Sequence, residues 1–409
     1  MTIAYRRVLC KMCIRAPLWC YNSAIMRTRA VLSLGNFFCA SHFFLVLYIV
    51  APYLSTYIPQ GLIGFVISSG ALLTFILFPF VPRIIRLIGA RKLLLGIALG
   101  MFFLLLLLAT GPGALSAITL IIFFCAVQPI IAYLLDLLLE GTIETEGETG
   151  RIRTAFITCG NMALVLAPLI VGLVLDGTDE YTRLFAVAAA SLIPFFALFL
   201  TVRFPEKESP RFRNITDIAH SLLGDPDFCA VGCAQGLLQF FYHLAPFFVP
   251  LYLHTVLGIP WSDLGWIFFI MLLPFVLLEY PMGWLADRVF GDKEIMALGF
   301  LILGATFAAL AFVTAATPLV YIAITLLLTR VGAVMVEASS EAHFFRRVSQ
   351  KDADTIAVFR MMRPVGALAG PFVGSLILLS SSYSTLFFVL GIFIIFAGVL
   401  SALTIRDVR

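Results

Sequence analysis

An arginine inside a long apolar segment is the residue whose type and position most clearly suggest binding chemistry. Arg330 lies near the middle of the apolar run 318–338, and an arginine at the centre of a membrane-spanning helix costs about 2.5–3.5 kcal/mol on insertion scales. Ionisable groups in such positions usually have a function and a partner. Two interpretations stay open. One is a structural ion pair with Glu337, two helical turns further along. The other is a site for an anionic substrate group, or the counterion of a proton-carrying acid.

A second set of polar side chains follows one face of the apolar segment 228–251. Its members recur at i, i+4, i+7 and i+8, which places them on one helical stripe: Gln235, Gln239, Tyr242 and His243. Polar groups in membrane helices often form hydrogen bonds between helices, and that role would explain the stripe. We favour the alternative that the stripe lines a polar cavity.

Pairs of acidic residues recur at equivalent places in the two halves of the sequence. Asp136 and Glu140 end one apolar run, and Glu337 and Glu341 end another at an identical offset. A proline-centred apolar segment follows each pair at a similar distance. Such repeats are typical of transport proteins built from two copies of one helical unit, so we infer an internal duplication.

The composition requires that these residues be carried by membrane helices. The chain of 409 residues is 61% hydrophobic and only 12% charged, whereas soluble proteins are about half apolar and about a quarter charged. Backbone groups in lipid must be hydrogen-bonded within the spanning element, and the apolar runs lack the alternation of barrel strands. We predict an all-α membrane protein with twelve transmembrane helices in two six-helix bundles. The expected helix cores are 30–51, 61–80, 92–109, 115–135, 154–175, 184–202, 228–251, 264–284, 295–313, 319–336, 356–379 and 385–405.

The distribution of lysine and arginine indicates how these helices are oriented. Nearly all basic residues lie in alternate loops and in the two tails, and basic loops stay on the cytoplasmic side. Both termini are therefore expected in the cytoplasm of a multi-pass protein of the inner or plasma membrane. The predicted organisation is a cytoplasmic tail (1–29, with Met1 or Met26 as the start), an N-terminal bundle (30–203), a cytoplasmic linker (204–227), a C-terminal bundle (228–405) and a second tail (406–409).

One further motif lies between the eighth and ninth predicted helices: Gly283-Trp284-Leu285-Ala286-Asp287-Arg288-Val289-Phe290-Gly291-Asp292-Lys293. It resembles the G-x-L-A-D-R-x-G-[RK]-[RK] loop of the major facilitator superfamily, with one extra residue before the second glycine and an acid where a base is usual. The segment 82–92 of the first half keeps the glycine and the basic end but lacks the aspartate. The resemblance covers residues 30–405 and indicates no subfamily.

The resemblance implies that the first, fourth, seventh and tenth helices surround a central cavity. Candidates from the first half are then Asn36 and His42 in the first helix, and Gln128 and Tyr133 in the fourth. His42 is a candidate for proton coupling because an imidazole titrates near neutral pH. Hydrogen bonding between helices is the alternative for all four residues.

The resemblance also implies a charge network that latches one gate. Its members here are Asp136, Glu140, Gly283, Asp287, Arg288, Glu337 and Glu341. A simple role in anchoring loops at the membrane surface explains these residues equally well, and in neither case do they contact substrate.

Sequence motifs for nucleotide binding, metal-dependent hydrolysis or nucleophilic catalysis are not found. We therefore expect neither an enzyme nor a cofactor, and the net charge of +4 gives no reason to expect nucleic acid. The expected function is secondary active transport of a small organic solute by a monomer working by alternating access in the lipid bilayer, with H⁺ as the coupling ion. Efflux is favoured because the cavity candidates are aromatic and amide-rich with a single cation. An importer of an organic anion or nutrient, and a non-transporting sensor or assembly factor, stay open.

Overall fold

The computed structural model of the protein describes residues 18–143, 149–202, 204, 225–278, 281–282, 291–348 and 353–405. Throughout these ranges the regular secondary structure is helical. Eleven helices are long and apolar enough to cross a membrane, and a shorter apolar helix lies in the position of the eighth predicted span. The predicted all-α class is confirmed, and the helices agree with twelve spans.

The helices of the first half are α1 (Met26–Ser55), α2 (Gln60–Ile88), α3 (Ala90–Ala109), α4 (Ala114–Gly141), α5 (Ile152–Val174) and α6 (Tyr181–Leu200). Those of the second half are α7 (Pro226–Val256), α8 (Trp261–Leu277), α9 (Asp292–Phe312), α10 (Leu319–Arg347), α11 (Val358–Leu378) and α12 (Tyr383–Thr404).

Helix α8 is interrupted inside its predicted bounds. It begins at Trp261, pauses at Leu273 and continues as Pro274–Leu277, whereas the sequence predicted a span over 264–284. Proline has no backbone N–H to continue the hydrogen-bond ladder, and this explains the interruption before Pro274.

The helix ends lie on two faces of the protein. We call one the basic face, because it carries Arg29, Arg91, Arg153 and Arg347, and the other, with the loops 56–59, 175–180, 257–260 and 379–382, the opposite face. The connections are tight. Gly89 between α2 and α3 has a φ of 85° and Gly258 between α7 and α8 has a φ of 71°, a region that glycine enters without steric cost.

The packing of helices repeats between the two halves. In the first half α1 packs on α5, α2 on α4 and α3 on α6, and in the second half α7 packs on α11, α8 on α10 and α9 on α12. The contacts between the halves are also equivalent to each other: α5 of the first half packs on α8 of the second, and α11 of the second packs on α2 of the first. The duplication inferred from the acidic pairs therefore extends to the three-dimensional arrangement of the helices.

Glycines bring the two halves together close to the opposite face. A Cβ atom on Gly64 of α2 would lie 1.9 Å from the carbonyl oxygen of Pro371 in α11, and one on Gly265 of α8 would lie 2.8 Å from the carbonyl oxygen of Pro168 in α5. Helix backbones approach this closely in membranes only where side chains are small. The two halves are thus in direct backbone contact on this side of the molecule.

Candidate functional site

Arg330 is buried in the middle of the molecule, and in the described part of the chain its side chain has no hydrogen-bond or ion-pair partner. It lies eleven residues after the start of α10, or roughly 17 Å along the helix axis, and is 4% exposed. Its guanidinium carbon lies 4.8 Å from the ring centre of Phe241 in α7, and its Nε atom is buried without an acceptor. Among the described residues Arg330 forms no ion pair.

The aromatic contact does not balance the cost of burying this charge. A cation over an aromatic ring gains about 0.5–2 kcal/mol, whereas taking a charged group out of water costs several kcal/mol even after relaxation. An anion placed against the guanidinium would restore the balance. The arrangement is therefore suited chemically to binding an anionic group.

The pocket at Arg330 lies within the second half apart from one lining residue, has mostly apolar walls, and is small, with a free volume of about 10 Å³, or room for about one water. Tyr48 of α1 comes from the first half, and its ring stacks on Phe268 of α8 with ring centres 5.3 Å apart. The lining residues are Tyr48, Phe241, Ala245, Pro246, Val249, Pro250, Phe268, Met271, Phe307, Leu326, Thr329 and Arg330. The Thr329 hydroxyl is not free for a ligand, because it donates to the Leu326 carbonyl at 2.6 Å.

The ion pair considered for Arg330 and Glu337 is not formed in the described structure. The Glu337 carboxylate accepts a hydrogen bond from the Tyr242 hydroxyl at 2.8 Å, while the Arg330 side chain lies on Phe241. Residues seven apart share a helix face but are about 10 Å apart along the axis. The two side chains have different direct contacts, although Tyr242 also lies within electrostatic reach of Arg330.

The predicted stripe on α7 divides into two environments. Gln235 and Gln239 are buried inside the second half. The Gln235 amide oxygen accepts from the Ser340 hydroxyl of α10 at 3.2 Å. Tyr242 and His243 are half-buried, and His243 donates from Nδ1 to the Gln239 carbonyl at 2.8 Å. Of the four, Tyr242 is the one joined to a charged residue.

The candidates from the first half lie mainly at helix contacts. The Asn36 amide of α1 donates to the Phe156 carbonyl of α5 at 3.0 Å. His42 has no exposed surface, and its Nδ1 contacts the Cys39 carbonyl. Three side-chain atoms here are buried without a hydrogen-bond partner: His42 Nε2, the Gln128 amide oxygen and the Tyr133 hydroxyl.

The acidic residues that end α4 meet basic residues from both halves at the basic face. Glu140 forms an ion pair with Arg153 of α5. Asp136 lies within electrostatic reach of Arg360 and Arg363 of α11, so the charges approach each other across the interface.

Only part of the corresponding charge network in the second half lies among the described residues. Glu341 also lies within electrostatic reach of Arg360. Gly283, Asp287 and Arg288 lie outside the described residues, and their role in a latch stays a prediction.

Two charged clusters were not anticipated from the sequence. At the opposite face, His254 of α7 contacts Asp179 of the α5–α6 loop. At the basic face, the buried His343 lies between Asp227 and Asp292, 3.0 Å and 3.5 Å from their carboxylates. The partners are far apart in sequence, and single histidines carry no spacing signal that could have revealed them.

Comparison with known proteins agrees with this architecture. Residues 231–409 match the sequence model of the Major Facilitator Superfamily. No curated protein sequence matches the chain.

Solved structures with a similar fold include the nucleoside transporter NupG and a mutant of the same transporter. The two share 14% and 15% sequence identity with this chain, with TM-scores of 0.74 and 0.75. Each alignment covers 92% of this chain and 98% of the other. At such low identity the similarity concerns the fold, and it extends over both halves.

Proposed function

We propose that this multi-pass membrane protein is a member of the major facilitator superfamily, whose sequence model matches residues 231–409, and that it carries a small organic solute across the membrane by alternating access. The observation that supports this most directly is the pocket at Arg330. It lies at mid-depth in the second half and Tyr48 of the first half closes it, so movement of one half against the other, as in a carrier that rocks around a central site, would open it.

The contacts between the halves are of a kind that can separate. At the opposite face the Gly64 amide donates to the Ser375 hydroxyl at 2.7 Å, and the Tyr383 hydroxyl donates to the Gln60 amide oxygen at 2.8 Å. These bonds are few, and water can replace them when the face opens. With the basic face assigned to the cytoplasm by its positive charge, the conformation described here is closed toward the outside.

Proton coupling is the second part of the proposal. His42 and Glu337 are titratable groups on α1 and α10, the helices that carry Tyr48 and Arg330 of the pocket. A proton carried by one of them can change the charge next to the solute site between the two conformations. His42 is the stronger candidate because its Nε2 atom has no hydrogen-bond partner.

The direction of transport is proposed to be efflux, with uptake as the second candidate. Aromatic and amide side chains around a single cation suit a range of organic compounds. The similar structures are those of a nucleoside transporter, so a nucleoside is a reasonable first solute to test for uptake.

The test is transport by the purified protein in liposomes that contain a pH-sensitive dye. A proton gradient is imposed in either direction, and organic anions, organic cations and uridine are added in turn. Flux of a solute with stoichiometric proton movement supports the proposal, and its direction relative to the gradient separates efflux from uptake. Tight binding of a solute without flux in either direction contradicts transport and favours a sensor.

A further inference from the structure

We propose that the Arg330 pocket binds the carboxylate of an organic monoanion, and that the Tyr48 hydroxyl binds the same carboxylate from the other half of the protein. This inference rests on the proposed transport function and specifies the chemical class of its solute.

Arg330 determines the charge of the ligand. Arg330 is a permanent cation that lacks an acceptor or carboxylate partner among the described residues, although it is almost fully buried. Charged side chains inside a membrane protein are normally paired with one another or with backbone carbonyls. The unfilled partner position therefore calls for an anion from outside the chain.

The lining of the pocket limits the ligand to one negative charge. The pocket is lined by aromatic, aliphatic and proline side chains, and Arg330 is its one charged lining residue in the described part of the chain. One cation neutralises one carboxylate. A dianion would leave a second charge against apolar walls, where it could not be solvated.

The Arg330 guanidinium and the Tyr48 hydroxyl are both suited to a carboxylate. A guanidinium presents several N–H donors in a plane, which match the two oxygens of a carboxylate. Tyr48 lies within electrostatic reach of Arg330 and lines the same pocket. A carboxylate bound to both groups would bridge α1 and α10, so its binding would hold the two halves together.

Phe241, Phe268 and Phe307 surround the small pocket, in which Phe241 packs on Phe307 and Phe268 on Tyr48. The present free volume of about 10 Å³ admits about one water, so the body of the ligand enters only when these side chains move apart. The aromatic rings then exposed favour an apolar or aromatic body next to the carboxylate. An aromatic monocarboxylate such as benzoate is therefore a suitable probe. Benzamide has nearly the same shape without the charge, and phthalate adds a second carboxylate.

The test measures binding of these three probes to the purified full-length protein by calorimetry and by thermal shift. Benzoate is expected to bind at least about tenfold more tightly than either benzamide or phthalate, a difference that calorimetry resolves easily. Equal binding of benzoate and benzamide would overturn the inference, as would failure of benzoate to bind at all.

Two substitutions separate binding from structure. Arg330→Gln should lower benzoate affinity at least about tenfold, while the melting temperature of the empty protein stays the same or rises, because an unpaired buried charge has been removed. A lower melting temperature of the empty variant with unchanged benzoate affinity would make Arg330 a structural residue.

Tyr48→Phe removes one hydroxyl and should weaken benzoate binding severalfold without altering the melting temperature. Arg183→Gln, an exposed site on the opposite face, is the matched loss of charge and should change neither quantity.

Failure of this inference can be told apart from failure of the proposed function. If the liposomes transport uridine or an organic cation while benzoate neither binds nor moves, the chain is a transporter of another solute class. If benzoate binds through Arg330 and no solute moves under any gradient, the anion site is supported and transport is wrong.

Discussion

His254 of α7 and Asp179 of the α5–α6 loop join the two halves of the protein at the opposite face, with Nε2 and Oδ1 2.9 Å apart. The other ring nitrogen, Nδ1, lies 2.9 Å from the Ile259 carbonyl. Both ring nitrogens thus face oxygen acceptors, and the imidazole ties the α5–α6 loop of the first half to the loop that follows α7.

Loss of the His254–Asp179 link is expected to loosen the closed opposite face. The Asp179 side chain is 66% exposed, and ion pairs in such surroundings contribute about 0.2–1 kcal/mol. His254→Gln should therefore shift the balance between closed and open conformations by up to about fivefold. Reaction of a maleimide with a cysteine introduced at Gly61 measures the open fraction.

A control variant separates this link from the effect of surface charge in general. Arg183→Gln removes an ion pair within the first half and should react with the maleimide at the wild-type rate. Equal reaction rates of His254→Gln and the wild type would show that His254 does not help to close this face.

The buried cluster around His343 is expected to hold the second half together. Arg347 contacts the Asp227 carboxylate and Arg346 the Asp292 carboxylate, both at 2.7 Å, while His343 joins the two acids. His343→Ala would leave two buried carboxylates short of a partner, and breaking a buried pair costs about 3–5 kcal/mol. Thermal unfolding in detergent should show a clear loss of stability.

A neighbouring substitution provides the comparison for this cluster. The Arg346 side chain is 34% exposed, so water can replace part of its contact with Asp292. Arg346→Gln should lower the melting temperature less than His343→Ala does. The opposite order would mean that the arginine, and not the histidine, organises the cluster.

The twelve helices could be predicted from the sequence because the bilayer leaves few alternatives. Lipid excludes open backbone polar groups, so apolar length alone identifies each span. Arg330 stood out for the same reason, since a cation is conspicuous among apolar neighbours. The two acidic pairs indicated the duplication that the helix packing repeats.

The partners of the polar residues could not be predicted because they depend on how each helix is rotated. Arg330 and Glu337 share a helix face, yet one lies on Phe241 and the other accepts from Tyr242. Periodicity predicted that the stripe on α7 shares one helix face. The sequence did not show that α10 and α11 cover half of that stripe, and it gave no sign that Tyr48 faces Arg330.

Closure of the opposite face is expected to depend on the glycine at the α2–α11 contact. Gly64→Ala would place a methyl group against the Pro371 carbonyl, and such overpacking costs about 1–3 kcal/mol. The closed conformation should become about 5- to 150-fold less populated, and transport in liposomes should slow accordingly while solute binding is retained.

A second glycine gives the control for this prediction. Gly100 of α3 has open space where its Cβ would lie, so Gly100→Ala should transport at the wild-type rate. If Gly64→Ala also transports at the wild-type rate, the close contact seen between α2 and α11 is not part of the transport cycle.

His42 is expected to link proton movement to solute movement. The residue is fully buried, with Nδ1 at the Cys39 carbonyl and Nε2 without a partner, so a proton on Nε2 would introduce a charge that only a rearrangement could solvate. His42→Ala should abolish accumulation of solute against its gradient while exchange of solute across the liposome membrane continues, because exchange needs no net proton transfer. Ser41→Ala, which removes a neighbouring hydroxyl of α1 that bonds within its own helix but no titratable group, should keep both activities. Proton-driven accumulation by His42→Ala at the wild-type rate would move the coupling site away from His42, with Glu337 as the next residue to substitute.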